Sequence, residues 1–312
     1  MSTEHEFSLV VERKGPLADG VVGLVLRCPN GQALPSWEPG AHIDLILTDE
    51  LTRQYSLCGD PRDSTTFRLA VLRNADGRGG SKHVHDELTE GQLVRVRGPR
   101  NNFRLVEAEE YLFIAGGIGI TPILPMITQV AACDRPWRLV YGGRTRSAMA
   151  FREELEALHP GHVEIHPQDE HGLLDLPTVL ARPTPAIYCC GPEPLLTAVE
   201  HQCTSGALHL ERFAPRADPA DGTGEHFEVE LARTGTVLTI PPDRSIVDVL
   251  DDSGRPVLYS CREGTCGTCE TTVLSGMPDH RDSILTAAEQ AAGDTMMICV
   301  SRSRSPRLVL DL

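Results

Sequence analysis

With 312 residues, 40% of them hydrophobic and 23% charged, the chain is long enough for two or three domains and has the composition of an ordinary soluble globular protein. Its 44 Asp and Glu outweigh 29 Lys and Arg, and the formal net charge of −15 opposes nucleic-acid binding and suits a partner with a basic patch. The N-terminal MSTEHEFSLVVERKG has no apolar or Arg-rich leader pattern and no stretch approaches a membrane span, so a cytoplasmic location is expected.

From Phe7 to about Arg104 the apolar residues come in short runs of period two, separated by Pro, Gly, Asp and Asn clusters. That pattern predicts an antiparallel β-barrel or sandwich, interrupted by one helix over 82–88. Within it, Arg53-Gln54-Tyr55-Ser56 puts a cation, an aromatic ring and a hydroxyl on one predicted strand, with Arg53 and Tyr55 on one face and Ser56 on the other. Further on, Gly77-Arg78-Gly79-Gly80-Ser81 opens into the predicted helix, a setting in which backbone N–H groups can meet a phosphate. Read singly, the first is ordinary edge decoration and the second a flexible turn.

At Tyr111 the pattern changes to strand candidates at 111–115, 138–141, 162–165 and 186–190, alternating with helical segments at 123–130, 150–158 and 194–203. This predicts an α/β domain with a parallel sheet and ligands at the strand C-ends. The loop Gly116-Gly117-Ile118-Gly119-Ile120-Thr121-Pro122 departs from the G-x-G-x-x-G fingerprint, and no acidic residue follows at the second strand end, so an ordinary dehydrogenase fold is not supported. Pro122 suits the first position of a helix. Residues 214–226 are polar and aperiodic and read as a linker. After the linker the chain returns to short strands, with one helix near 246–250.

Of ten cysteines, Cys28, Cys58, Cys133, Cys189, Cys190 and Cys203 read mainly as reduced, buried small hydrophobes. The other four, Cys261, Cys266, Cys269 and Cys299, follow C-x4-C-x2-C with a distant fourth, the plant-type spacing for a [2Fe-2S] cluster. Four cysteines also suit zinc, but zinc modules usually pair their ligands as two C-x2-C units, and only Cys266 and Cys269 are so spaced.

The ordered combination of Arg-x-Tyr-Ser, Gly-Gly-Ile-Gly-Ile-Thr-Pro, Cys-Gly-Pro and the cysteine pattern resembles the phthalate dioxygenase reductase family, which includes the vanillate O-demethylase reductases, over nearly the whole chain. The resemblance implies a flavin-binding β-barrel at 1–106, an NAD-binding α/β domain at 107–213, the linker at 214–226 and an α+β β-grasp ferredoxin domain at 227–312. Arg53, Gln54, Tyr55 and Ser56, then Ala70, Val71 and Leu72, then Gly79, Gly80 and Ser81 match flavin-binding segments. FMN is favoured because Leu57-Cys58-Gly59 follows Arg-x-Tyr-Ser where FAD-using relatives place a further Ser or Thr.

By the same resemblance Gly117, Gly119, Cys190, Gly191 and Pro192 match the nicotinamide site, and Gly143, Arg144 and Asp169 the adenosine end. Thr121, Cys190 and Phe213 are the residues expected at the reacting rings. For Cys190, packing against nicotinamide is favoured over nucleophilic attack, and for Phe213 a buried core position is the alternative. Arg144 and Arg146 leave NADPH open beside NADH. The implied function is an NADH-dependent reductase, a monomer, that feeds single electrons through its cluster to a terminal oxygenase of the Rieske type acting on an aromatic compound. A flavin bridges the two ends because it accepts a hydride pair and releases electrons singly. The alternatives are a reductase serving a cytochrome P450 and a zinc-stapled nucleotide-binding or redox-sensing module.

Overall fold

The structure, a computed structural model, describes residues 6–203, 207–215 and 225–312. Six antiparallel strands come first: β1 (Glu6–Ala18), β2 (Val21–Arg27), β3 (Ala41–Thr48), β4 (Leu51–Ser56), β5 (Thr66–Leu72) and β6 (Leu93–Asn101), ordered β4-β3-β6-β1-β2-β5. The period-two runs explain the closure. Leu9 and Val11, Leu24 and Leu26, Ile43 and Leu45, Phe67 and Leu69, and Val94 and Val96 all point into one core. The end strands meet where Cys58 N–H donates to Arg68 O at 2.9 Å. Helix α1 (Gly80–Asp86) follows β5 and packs its buried Val84 into this core.

The parallel sheet is built from β7 (Tyr111–Gly116), β8 (Trp137–Gly143), β9 (Val163–Pro167), β10 (Ala186–Cys190) and β11 (Ala207–Glu211), in the order β11-β10-β7-β8-β9. Every residue of β7 is buried, as in a central strand covered on both faces. Between the strands run α2 (Ile120–Ala132), α3 (Arg152–Leu158), α4 (Gln168–His171), α5 (Leu176–Leu180) and α6 (Glu193–Gln202). Pro122 lies third in α2, not first as its sequence setting predicts, because a tight turn over Gly117–Gly119 runs directly into a helix already started at Ile120. It is still in the first turn, where a missing N–H breaks no intrahelical bond.

These two sheets form one compact unit that ends at Glu211. Val21, Cys58 and Ala70 of the first share a hydrophobic cluster with Ile120, Met149 and Phe151 of the second. Asp19 N–H donates to Ser147 O at 2.9 Å, and the Arg68 guanidinium lies 4.7 Å over the Phe151 ring while pairing with Glu154 at 3.2 Å.

The second unit, Arg212–Leu312, is a separate body. Its strands are β12 (Phe227–Leu231), β13 (Thr236–Ile240), β14 (Glu270–Ser275), β15 (Pro278–Asp279), β16 (Thr295–Met297), β17 (Arg302–Ser303) and β18 (Arg307–Leu310). Five of them make a mixed sheet, β13-β12-β18-β14-β16, with β12 and β18 parallel, and β15 pairs with β17. Helix α7 (Ile246–Asp252) begins at a capping box of Ser245 and Asp248, and buries Ile246, Val247 and Leu250. A second capping box, Thr286 with Glu289, starts α8 (Ala287–Ala292). The linker expected at 214–226 falls mainly on 216–224, outside the described residues. No helix among the described residues is long and apolar enough to cross a membrane.

Candidate active site and cluster loop

The elements that carry the flavin-type segments, β4, β5 and α1, contact one another. Arg53 on β4 donates through Nη2 to Arg78 O at 2.7 Å, which ties the strand to the glycine loop. Gly79 takes a left-handed φ of 86°, and α1 starts directly after it with no side-chain cap. A Cβ on Gly80 would stand 2.3 Å from Arg53 Cγ, so only glycine lets the arginine lie across the loop. Cation, glycine turn and uncapped helix start form a cradle that fits a phosphate. The Ser81 hydroxyl is already used, accepting from Asn74 N–H at 2.9 Å and pinning the end of β5 to α1.

Tyr55 packs against the first core, and burial pushes its phenol up to about 12 against the pull of Arg53, so the ring stays neutral. Ser56 is buried on the opposite strand face. The Gln54 side-chain amide donates to Asp44 Oδ1 at 2.8 Å, and Asp44, wholly buried, also accepts from Arg100. The alternation of β4 dictates this, since Gln54 pairs with Asp44 across β3 while Arg53 and Tyr55 face Leu45 and Ile43. Ala70 and Val71 are buried and Leu72 is largely exposed. A groove of about 520 Å³, lined among others by Arg13, Leu17, Gly23, Gly59 and Arg68, includes none of the expected flavin residues.

β5 runs beside the turn Gly117–Gly119, and its Ala70 shares a hydrophobic cluster with Ile118 and Ile120. That turn ends β7, and Cys190-Gly191-Pro192 ends its neighbour β10, where the strand order reverses direction. Such a crevice at the carboxyl ends of a parallel sheet is where ligands enter this architecture. A Cβ on Gly119 would lie 2.2 Å from Cys190 O, so glycine is what lets the two loops close to contact. Thr121 is buried, and its hydroxyl donates to Ile118 O at 2.9 Å, holding the turn.

Cys190 is fully buried, and burial, reinforced by the nearby Glu211 carboxyl, pushes its thiol well above the ordinary range. Its Sγ donates to Glu211 Oε2 at 3.8 Å. A nucleophile needs the thiolate, so packing is the role these surroundings give. Burial raises Glu211 to about 8, opposed by the Cys190 contact; the residue keeps a partly exposed edge, and water there limits the shift. Glu211 is absent from the sequence prediction because β11 is. The alternation of Leu208 and Leu210 before Glu211-Arg212-Phe213 was the available signal.

At the ends of β8 and β9, Asp169 N–H donates to Arg144 O at 3.2 Å, so Gly143, Arg144 and Asp169 are brought together. Phe213 is half exposed and belongs to the second unit, contrary to the alternative of a buried core position.

In the second unit Cys261, Cys266, Cys269 and Cys299 are all buried. The Cys261 thiol is in hydrogen-bonding contact with those of Cys266 and Cys299, and Cys299 with Cys269. Contacts from Cys266 and Cys299, with N–H groups of Thr265 and Glu263 at 3.5 and 3.3 Å, hold Cys261 well below its ordinary value. A thiolate is the form iron takes. Among the described residues no group of three or more His, Cys, Asp or Glu side chains is set to hold a single metal ion. The plant-type spacing of these four buried cysteines, with only Cys266 and Cys269 set as a C-x2-C unit, fits a [2Fe-2S] cluster better than a zinc module.

Gly264 sits in this loop at φ 67°, where a Cβ would lie 2.6 Å from Val300 Cγ2 and 2.9 Å from Asp282 Cα. Arg262 holds a left-handed φ of 57° without being glycine. Its guanidinium pairs with Asp248 at 2.9 Å and Asp251 at 3.2 Å on α7, and lies 4.4 Å over the Tyr259 ring. Of the remaining six cysteines, none in a disulfide, Cys58, Cys189 and Cys190 are buried as expected, whereas Cys28 and Cys203 are only half-buried. Cys133 is exposed because it caps the C-terminus of α2.

Three domain families match the chain: an oxidoreductase FAD-binding domain over residues 8–105, an oxidoreductase NAD-binding domain over 113–201, and a 2Fe-2S iron-sulfur cluster binding domain over 229–304. The phthalate 4,5-dioxygenase oxygenase reductase subunit of Pseudomonas putida is 40% identical over 314 residues, covering 97% of this chain and 96% of its own. The crystal structure of phthalate dioxygenase reductase is 38% identical, with a TM-score of 0.71 and 98% of both chains covered. An intact type IV self-sufficient cytochrome P450 monooxygenase is 41% identical with a TM-score of 0.92, and this chain, 98% covered, spans 41% of that protein's length. The chain belongs to the phthalate dioxygenase reductase family, as an oxidoreductase with flavin, NAD-binding and [2Fe-2S] domains that serves as the reductase component of an oxygenase system.

Proposed function

We propose that this protein takes electrons from NADH onto FMN and hands them singly through its [2Fe-2S] cluster to a Rieske-type oxygenase acting on an aromatic compound. The observation that carries the proposal is the burial of Cys261, Cys266 and Cys269 of one loop together with Cys299, which follows β16, in a chain whose parallel sheet brings Gly119 and Cys190 into contact. When bound, the flavin supplies the step between a two-electron donor and a one-electron cluster. The chain's residues do the positioning. Arg53 and the Gly79–Gly80 turn hold a phosphate, Tyr55 and Ser56 border the ring, and Ala70, Val71 and Leu72 line its edge with backbone. Thr121 fixes the turn that carries Gly117 and Gly119, while Cys190, Gly191 and Pro192 form the floor under the nicotinamide. Phe213 is assigned to the reacting rings by the family resemblance.

FMN is preferred to FAD because the glycine-rich loop of the resembled family closes over a terminal phosphate, a role that the Gly79–Gly80 turn tied to Arg53 suits, and because Leu57-Cys58-Gly59 offers no hydroxyl for a longer ligand. We assign the domains to 1–106, 107–213 and 227–312 around a linker at 214–226, and the working form to a cytoplasmic monomer. The acidity of the chain favours an acceptor with basic residues around its own centre.

Visible absorption, iron content and chromatography of the released flavin test the proposal together. FMN at one per chain with two irons is expected. Released FAD would overturn the flavin assignment, and zinc without iron would overturn the whole. The 41% identity to a P450-fused protein supports a second reading, a cytochrome P450 as acceptor, which is distinguished by comparing reduction rates of a purified oxygenase and a purified P450.

A further inference from the structure

β8 and β9 are parallel neighbours, with Gly142 beside His166 and Gly143 beside Pro167, so their C-terminal ends open side by side. A dinucleotide whose nicotinamide lies at the β7 and β10 loops reaches outward across these ends, and its adenosine ribose falls there. NADH presents a 2′-hydroxyl at that point and NADPH a 2′-phosphate. The first needs an acceptor, and the second needs two or more cationic donors.

The ends of β8 and β9 carry both signs of charge. Arg144 and Arg146 follow β8; Asp169 and Glu170 stand on α4 after β9. Arg146 is committed: its Nε donates to Glu170 Oε1 at 3.0 Å and its Nη2 to Oε2 at 2.7 Å, a two-point fork. Glu170 also stands 3.8 Å from His171 Nε2, and His166 lies beside His171 with ring centres 5.4 Å apart. A 2′-phosphate entering here would meet a carboxylate already occupying the donors it needs. Counted together, two arginines against Asp169 and Glu170 leave no net positive charge to attract it.

We propose that Glu170 sets the nucleotide preference of this reductase by holding Arg146, so that the site admits a 2′-hydroxyl and refuses a 2′-phosphate. The proposal rests on the nucleotide reading of the β7 and β10 loops, and goes beyond it by naming the pair that discriminates. Arg146 is the latent phosphate donor and Glu170 its block. The pair is an exposed ion pair that adds little to stability, so its removal leaves the fold intact.

The test is Glu170→Gln in the full-length holoenzyme, read in two independent ways. The ratio of kcat/KM for NADPH to that for NADH is expected to rise about tenfold or more, the scale of one freed charge-assisted hydrogen bond. Calorimetric binding of 2′,5′-ADP, a probe that needs no turnover, is expected to tighten by a similar factor, with 5′-AMP unaffected. Adding Arg146→Ala to Glu170→Gln should cancel both gains. An unchanged ratio and unchanged 2′,5′-ADP binding in Glu170→Gln would overturn the proposal while leaving NADH use intact. Gains that survive removal of Arg146 would overturn it too. A wild-type protein that oxidises neither nucleotide would strike the nucleotide reading itself, and this proposal with it.

Discussion

The Cys190 thiol and the Glu211 carboxyl are cross-strand partners at the C-terminal ends of β10 and β11, with Sγ 3.8 Å from Oε2. They lie next to the loops where nicotinamide is expected. Glu211 is a carboxyl raised to about 8 by burial, so in the folded protein it holds its proton through most of the range in which an unfolded chain, near 4.5, has lost it. The native state binds more protons than the unfolded state between these values, and stability from this group therefore falls as pH rises from about 4.5 to about 8.

Glu211→Gln should flatten that decline. Its ceiling is about 1.4 kcal/mol per unit of pKa shift, reduced by the partly exposed edge of the residue. Urea unfolding followed by flavin fluorescence at pH 5, 6, 7 and 8 measures it. Parallel stability profiles in the two proteins would show that Glu211 is not a buried neutral acid.

Arg53→Ala should weaken flavin retention by about 1.5–3 kcal/mol, through loss of a charge-assisted bond to the phosphate. Gln54→Ala should spare flavin affinity and lower stability instead, because its amide serves the buried Asp44 and Arg100 pair. Dialysis with flavin quantification, beside thermal melting, separates the two. Equal flavin loss in both variants would contradict the division of labour on the two faces of β4.

Arg262 lets two opposing effects be weighed. Arg262→Ala removes the contacts to Asp248 and Asp251 yet keeps a left-handed backbone that costs a non-glycine residue about 1 kcal/mol or more. Arg262→Gly removes the same contacts and the strain together. The alanine variant should therefore lose its cluster absorbance at lower guanidinium concentration than the glycine variant. The reverse order would mean that the arginine conformation stores no strain.

Much of this was legible in the sequence because it is written in local pattern. Alternation at Leu24 and Leu26 or Phe67 and Leu69 encodes the first sheet, the continuous run at Tyr111–Gly116 encodes a central parallel strand, and the cysteine spacing encodes the cluster loop. The signal failed where an element is short or its role is set by a distant partner. β11 is five half-buried or exposed residues, so its Glu211 escaped notice. Helix α8 announces itself only through Thr286 and Glu289. The bond from the Gln54 amide to Asp44 follows from strand register, which is fixed by pairing that no single strand contains.

Electrons are expected to pass from a nicotinamide through the flavin to the cluster held by Cys261, Cys266, Cys269 and Cys299 and to leave from there. Anaerobic NADH titration with paramagnetic resonance tests it most directly, in wild type and in Cys266→Ser. In wild type the signal of a reduced [2Fe-2S] cluster should grow with NADH, and a purified oxygenase should become reduced. In Cys266→Ser both should vanish while NADH oxidation by ferricyanide persists. An NADH-reduced wild-type protein with bleached flavin and no cluster signal, or a Cys266→Ser variant that still reduces the oxygenase at the wild-type rate, would contradict it.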